Sequence, residues 1–203
     1  NNSIVTDGAG NWSYDDTGTS LAEGDYAYNA TTVDVAGNTS VVSATLMVSI
    51  DFTNPAVPTI AGITNDTNIG GDGVTSDDRL VISGTGDADE LVRVYLDASA
   101  IGTTTADGAG NWSFNYTASD IADGSYVLTA EAEDGAGNLS GLSANFNLTV
   151  DTAAPAAPAV TAISTDTGTS GDGITSDTTL VISGTAEGSS QVNVLLDAAS
   201  IAT

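Results

Sequence analysis

Apolar and polar residues alternate with a period of two along most of this chain, in short runs bounded by Gly, Asn and Asp. No window carries the spacing of an amphipathic helix. Within residues 51–150 the alternation predicts seven strands. They are A at 57–64, B at 80–84, C at 91–96, D at 102–106, E at 111–116, F at 125–133 and G at 142–150. Val92, Val94 and Leu96 against Arg93 and Tyr95 give strand C one inward and one outward face. Tyr126, Leu128 and Ala130 against Val127 and Thr129 do the same for strand F.

The pattern then returns in register after 100 residues. Asp-Gly-Ala-Gly-Asn-Trp at 7–12 recurs at 107–112, and Leu-Val-Ile-Ser-Gly-Thr at 80–85 recurs at 180–185. A period this long means tandem copies of one domain. Seven short strands in each period predict an all-β chain of tandem seven-stranded immunoglobulin-like β-sandwiches, about 100 residues per repeat. Residues 51–150 form a complete repeat. Residues 1–50 supply strands D to G of the preceding repeat, and residues 151–203 supply strands A to C of the next. Neither half can bury a sandwich core alone. Two readings are open: the chain is a window on a longer protein, or the halves are completed by neighbouring identical chains.

Composition narrows the chemistry. The chain has no Cys and no His, and its two cationic side chains are Arg79 and Arg93. Disulfides, thiolate or imidazole metal sites, cysteine nucleophiles and lysine chemistry are therefore excluded. With no disulfide, the core relies on Trp112, Phe114, Tyr126, Leu128 and the aliphatic strands. Trp12 and Trp112, each after the same turn, are expected at the core or its edge. The proline-bearing segments Asp51-Phe-Thr-Asn-Pro-Ala-Val-Pro58 and Asp151-Thr-Ala-Ala-Pro-Ala-Ala-Pro158 read as stiff linkers of restricted bending. Asn-x-Ser/Thr triplets at Asn11, Asn29, Asn38, Asn111 and Asn138 read as chance in a chain rich in these residues.

Charge points to a counter-ion. Against 27 acidic residues there are two cationic ones, a net charge of −25. Such a surface repels phosphate backbones and anionic headgroups, which argues against nucleic acid and membranes. Oxygen ligands alone favour Ca²⁺. In a sandwich of alternating strands, the B–C, D–E and F–G loops share the pole where the linker arrives. Asp51, Asp87, Asp107 and Asp134 fall there, with Asp89 and Glu90 nearby. The neighbouring repeats carry Asp34, Asp151 and Glu187 at matching positions. One Ca²⁺ held by the linker Asp, the B–C carboxylate and the F–G Asp would clamp the hinge. The A–B loop at 65–78 lies at the opposite pole and offers Asp66, Asp72 and Asp77 as a second set. Asp166, Asp172 and Asp177 repeat it. These residues read equally well as turn formers, and the spacing lacks the closing Glu of an EF-hand loop.

Four motifs together carry a resemblance. They are Asp151-Thr-Ala-Ala-Pro-Ala-Ala-Pro158, Leu180-Val-Ile-Ser-Gly-Thr-Ala-Glu187, Asp107-Gly-Ala-Gly-Asn-Trp-Ser-Phe114 and Glu133-Asp-Gly-Ala-Gly-Asn138. The whole chain resembles the bacterial Ig-like repeats of giant Gram-negative adhesins and biofilm-associated proteins. That resemblance implies type I secretion, a place at the cell surface, calcium between domains, and an extender that holds a terminal adhesive domain away from the cell. Other domains of such a protein would meet a surface glycan or a host or abiotic surface. Two departures stand out: Gly86-Asp-Ala-Asp-Glu90 where the family usually has Ala-Glu, and the looser linker Asp51-Phe-Thr-Asn-Pro55. The alternatives are a subunit of an extracellular filament or matrix built from split domains, and a carbohydrate-binding module. Paired carboxylates could cleave glycosides, but sites that recur every period argue against an enzyme.

Overall fold

The computed structural model describes residues 4–202 apart from Asn68 and Ala198, and at 201 and 202 the backbone alone. Asn68 of the predicted A–B loop and the outermost terminal residues thus lie outside the described part. Fourteen strands are present among the described residues. β1 (Gly24–Tyr28) and β2 (Leu46–Ile50) belong to the first half-repeat. The complete repeat contains β3 (Thr59–Ile63), β4 (Val74–Thr75), β5 (Val81–Thr85), β6 (Leu91–Leu96), β7 (Ser99–Thr105), β8 (Asn111–Asn115), β9 (Gly124–Glu133) and β10 (Phe146–Val150). The last half-repeat contributes β11 (Ala159–Ile163), β12 (Ile182–Thr185), β13 (Val194–Leu196) and β14 (Ala199–Ala202). By compactness the chain divides into residues 1–150 and 151–203.

The complete repeat is a two-sheet sandwich. One sheet runs β3-β5-β8 and the other β4-β10-β9-β6-β7. All pairings are antiparallel except β4 with β10. Between the sheets lie Leu80, Ile82, Val92, Val94, Trp112, Leu128, Ala130, Leu148 and Val150, all buried. Full burial of each large aliphatic side chain favours folding by about 1.5–3 kcal/mol. A Cβ on Gly84 would run into the Thr59 carbonyl and the Trp112 ring, so glycine lets the indole lie flat on β5. Tyr126 donates its hydroxyl to the Ala122 carbonyl, a tyrosine corner at the start of β9. Tyr26 repeats the bond to Ala22.

Three details differ from the expected strands. Val74–Thr75, read as loop, form β4 and add a parallel rung to β10. The strand expected at 102–106 begins at Ser99, through a tight β6–β7 hairpin with a bulge between Val94 and Tyr95. The strand expected from 142 begins at Phe146. Upstream of it the chain bonds to β9 through serine side chains. Ser140 Oγ accepts from Ala132 N at 2.9 Å, and Ser143 Oγ accepts from Ala130 N at 3.0 Å. Each serine N–H donates to the carbonyl of the same alanine. A hydroxyl thus stands in for a backbone carbonyl, and the pairing is not a strand ladder. Thr129, read as outward-facing, is buried; its cross-strand partner on that face is the large side chain of Tyr95.

Candidate functional site

Four loops are built on one plan: residues 7–11, 34–38, 107–111 and 134–138 each read Asp-x-Ala-Gly-Asn. In each, the aspartate Oδ1 accepts the N–H groups two and four residues on. The fourth residue is a glycine with φ of 80–90°, a conformation that disfavours other side chains. These backbone bonds, together with the side-chain amide of the closing asparagine, hold the carboxyls of Asp7, Asp34, Asp107 and Asp134 below the usual aspartate range. Asn11 and Asn111 backbone donors lead for Asp7 and Asp107; the Asn38 and Asn138 side-chain amides lead for Asp34 and Asp134. Asp34 and Asp134 are therefore loop anchors first, whatever else they bind.

The linker is tied to these loops. Asp87 Oδ2 accepts from Ala56 N at 2.9 Å. Asn138 Nδ2 donates both to Asp134 Oδ2 at 2.8 Å and to the Asp51 carbonyl at 3.2 Å. Thr53 Oγ1 is 2.8 Å from both carboxylate oxygens of Glu23. In the next repeat Glu187 Oε2 accepts from Ala156 N at 3.2 Å. The same clasp is made by a different, longer acid. Asp51 and Asp151 each cap their own linker by accepting the N–H two residues on.

Around the first linker lies an open hollow of about 450 Å³ whose lining includes Glu23, Asp25, Asp51, Asp87, Glu90 and Asp134. Asp107 is not among its lining residues. Burial pushes the Glu90 carboxyl up, and Asp87, Asp134 and Asp51 add repulsion. Its Oε2 is buried without a hydrogen-bond partner. The hollow therefore disfavours negative charge at Glu90 and would favour a cation. As arranged, it is not a closed cage: among the described residues no three carboxylates converge closely enough to hold a metal ion.

At the opposite pole the A–B loop ties its own backbone. Asp66 Oδ2 accepts from Gly71 N at 2.6 Å, Asp72 Oδ1 from Val74 N at 2.9 Å, and Asp77 Oδ1 from Arg79 N at 3.0 Å. Asp166, Asp172 and Asp177 repeat these bonds to Gly171, Ile174 and Thr179. The carboxyl of Asp77 is held low mainly by the Asn65 amide, and that of Asp177 mainly by the Thr179 N–H. Asp66 Oδ1 and Asp166 Oδ1 are both buried without a hydrogen-bond partner.

Sequence reading singled out the linker Asp, the B–C acid and the F–G Asp. It did not single out Asn138, Thr53 or Glu23. Glu23 and Thr53 are 30 residues apart, and no local pattern signals their pairing.

The fold class these features define is the immunoglobulin-like sandwich. Residues 54–152 match the model of the bacterial Ig-like domain, and the half-repeats repeat the sequence motifs of that segment in register. Exoglucanase B of Cellulomonas fimi is 35% identical over 173 residues, a match that spans 78% of this chain and 15% of that protein. The solved BSP domain of a biofilm-associated protein is 22% identical, with 66% of this chain and 20% of that one covered and a TM-score of 0.35. A structure described for host cell surface retention of a 1.5-MDa bacterial ice-binding adhesin is 24% identical, covering 63% of this chain and 41% of that one at a TM-score of 0.30.

Proposed function

We propose that this chain is a non-catalytic spacer of an extracellular bacterial surface adhesin, stiffened at its linkers by Ca²⁺. The observation that carries the spacer reading is the recurring linker clasp. Ala56 and Ala156 are each bonded to the B–C acid of their own repeat, 31 residues away. Proline already restricts these segments, and a hydrogen bond to each removes further freedom. Repeats joined this way transmit position along an array without needing a reactive centre. A sugar platform at Trp112 is disfavoured, because that ring is 3% exposed.

The calcium part rests on electrostatics. Three carboxylates raise the cost of ionising Glu90, and a divalent cation in the hollow would reverse that cost. Asp51, Asp87 and Glu90 would hold it, with Glu23 and Asp134 beside them. The side chains would have to move together to come into the 2.3–2.6 Å range of calcium–oxygen bonds. The orphaned oxygens of Asp66 and Asp166 support a second, looser site in the A–B loop.

Calcium added to chelated protein is expected to raise the melting temperature, because the ligand binds the folded state, and to narrow the distance distribution in small-angle scattering. Glu90→Gln should weaken both responses. If chelation changes neither quantity, the calcium reading fails. If the scattering profile is that of freely swivelling repeats in every condition, the spacer reading fails with it.

A further inference from the structure

Neighbouring repeats of this chain offer each other closely similar strands. Val92, Val94 and Leu96, the inward face of β6, recur as Val192, Val194 and Leu196. Tyr126 and Ala130 of β9 recur as Tyr26 and Ala30. The core face therefore says little about which copy a strand belongs to. Distance along the chain says little more. Thr31 is less than twice as far from Arg93 as Glu131 is, and loop-closure entropy grows only as the logarithm of loop length. Tandem repeats misassemble by exchanging such elements.

The outward face of the same two strands does discriminate. Arg93 lies opposite Glu131 and diagonal to Glu133 in the β6–β9 register. Its guanidinium is 3.6 Å from Glu131 and 3.0 Å from Glu133, and Tyr95 donates its hydroxyl to Glu131 at 2.9 Å. The three charged side chains are only 17–34% exposed, so a charge left unmatched there is poorly compensated by water. None of the four groups is repeated. The preceding copy has Thr31 and Val33 where Glu131 and Glu133 stand, and the next has Asn193 and Leu195 in place of Arg93 and Tyr95.

We propose that this cluster is a strand-pairing code, which holds β6 and β9 of one repeat together and rejects the matching strands of its neighbours. Laid on β6 in the same register, residues 25–33 would leave Arg93 facing Thr31 and Val33, and Tyr95 facing Asn29. Laid on β9, residues 191–196 would leave Glu131 and Glu133 facing Asn193 and Gln191. Each exchange strands half-buried charge; the correct pairing strands none. A penalty against the wrong partner is what choice between near-identical surfaces requires. Its place in the sheet gives the choice weight, because β6 and β9 are inner strands on which β7 and β10 are laid.

The 203-residue chain carries both competitors, so it is its own test system. Leu91 pairs with Glu133, and the exchanged register would put Val33 there instead. In a chain with no other cysteine, Leu91→Cys with Val33→Cys gives a disulfide that reports the exchanged pairing, read by peptide mapping. Refolded from urea under mild oxidation, the chain with its native charges should form little of it. Arg93→Asn with Glu131→Thr and Glu133→Val gives the repeat its neighbours' residues. The yield should then rise about fivefold, the scale of discrimination that two cross-strand charge pairs supply. Arg93→Glu with Glu131→Arg and Glu133→Arg reverses the code without erasing it, and should return the yield to the native level. Equal yields in the native and neutral chains would overturn the proposal. So would a reversed chain that crosslinks like the neutral one. A neutral chain that loses its folded repeat without forming the bond would overturn it too, since the cluster would then hold the repeat together rather than choose its partner. Calcium enters none of these outcomes, so the linker reading is tested separately.

Discussion

Ser140 and Ser143 do in this fold what a backbone carbonyl does elsewhere. Both are buried, at 8% and 7% exposure, and each is the acceptor for a buried alanine N–H. Ser140→Ala or Ser143→Ala strands that donor, an expected loss of about 1–3 kcal/mol in urea denaturation. Asp134 and Glu90 make the pH dependence two-sided. Glu90 has a folded pKa raised above its ordinary 4.5, so the folded state binds its proton more tightly, and stability falls as pH rises through that window. Asp7, Asp34, Asp107 and Asp134 are lowered from 3.8; their contribution is present above 3.8 and lost as pH falls through the folded values. In cation-free buffer the melting temperature should therefore rise on acidification from pH 7 and fall again below 3.8. Glu90→Gln should flatten the upper limb. The position of Asp134 in the loop was legible in the sequence. Its double use was not, because an Asx turn depends on the backbone angles of Gly137 as much as on the acid. Ser140, read only as the end of a chance Asn-Leu-Ser triplet, gave no sign that its hydroxyl would face β9.

At the level of elements, partners decide which segments become strands. Asn-Trp-Ser-aromatic occurs at 11–14 and 111–114, yet only the second copy is strand, because only it lies beside β5. Trp112→Ala should cost about 3–5 kcal/mol through the cavity it leaves. Trp12→Ala, at an exposed site, should change the stability of the complete repeat by less than about 0.5 kcal/mol, and paired thermal melts would check the contrast. Period-two alternation located β5, β6, β8 and β9 to within a residue or two, since each is long enough to show two faces. It missed β4, whose two residues sit among Gly, Asp and Ser and owe their pairing to β10 alone. It overran β10 because Leu142 continues an apolar pattern that serine bonding interrupts.

For the molecule as a whole, a charge of −25 opposes compaction, and monovalent salt should relieve it only by general screening. At matched ionic strength, calcium should therefore raise the melting temperature more than sodium does. Strand alternation sent Asp51, Asp87 and Asp134 to one pole, and all three line the hollow there, but it sent Asp107 to the same pole and Asp107 does not line it. What that reasoning could not supply was Glu23, which reaches Thr53 from the repeat before the linker.

The clasp at Ala56 and Ala156 lies wholly within the repeat that follows each linker. Its recipe asks nothing of the identity of the next copy along. A gene encoding such a chain could gain or lose segments of 100 codons and still specify this clasp in every copy. The length of an array could then change in whole steps by copy number, with no compensating change in the clasp itself.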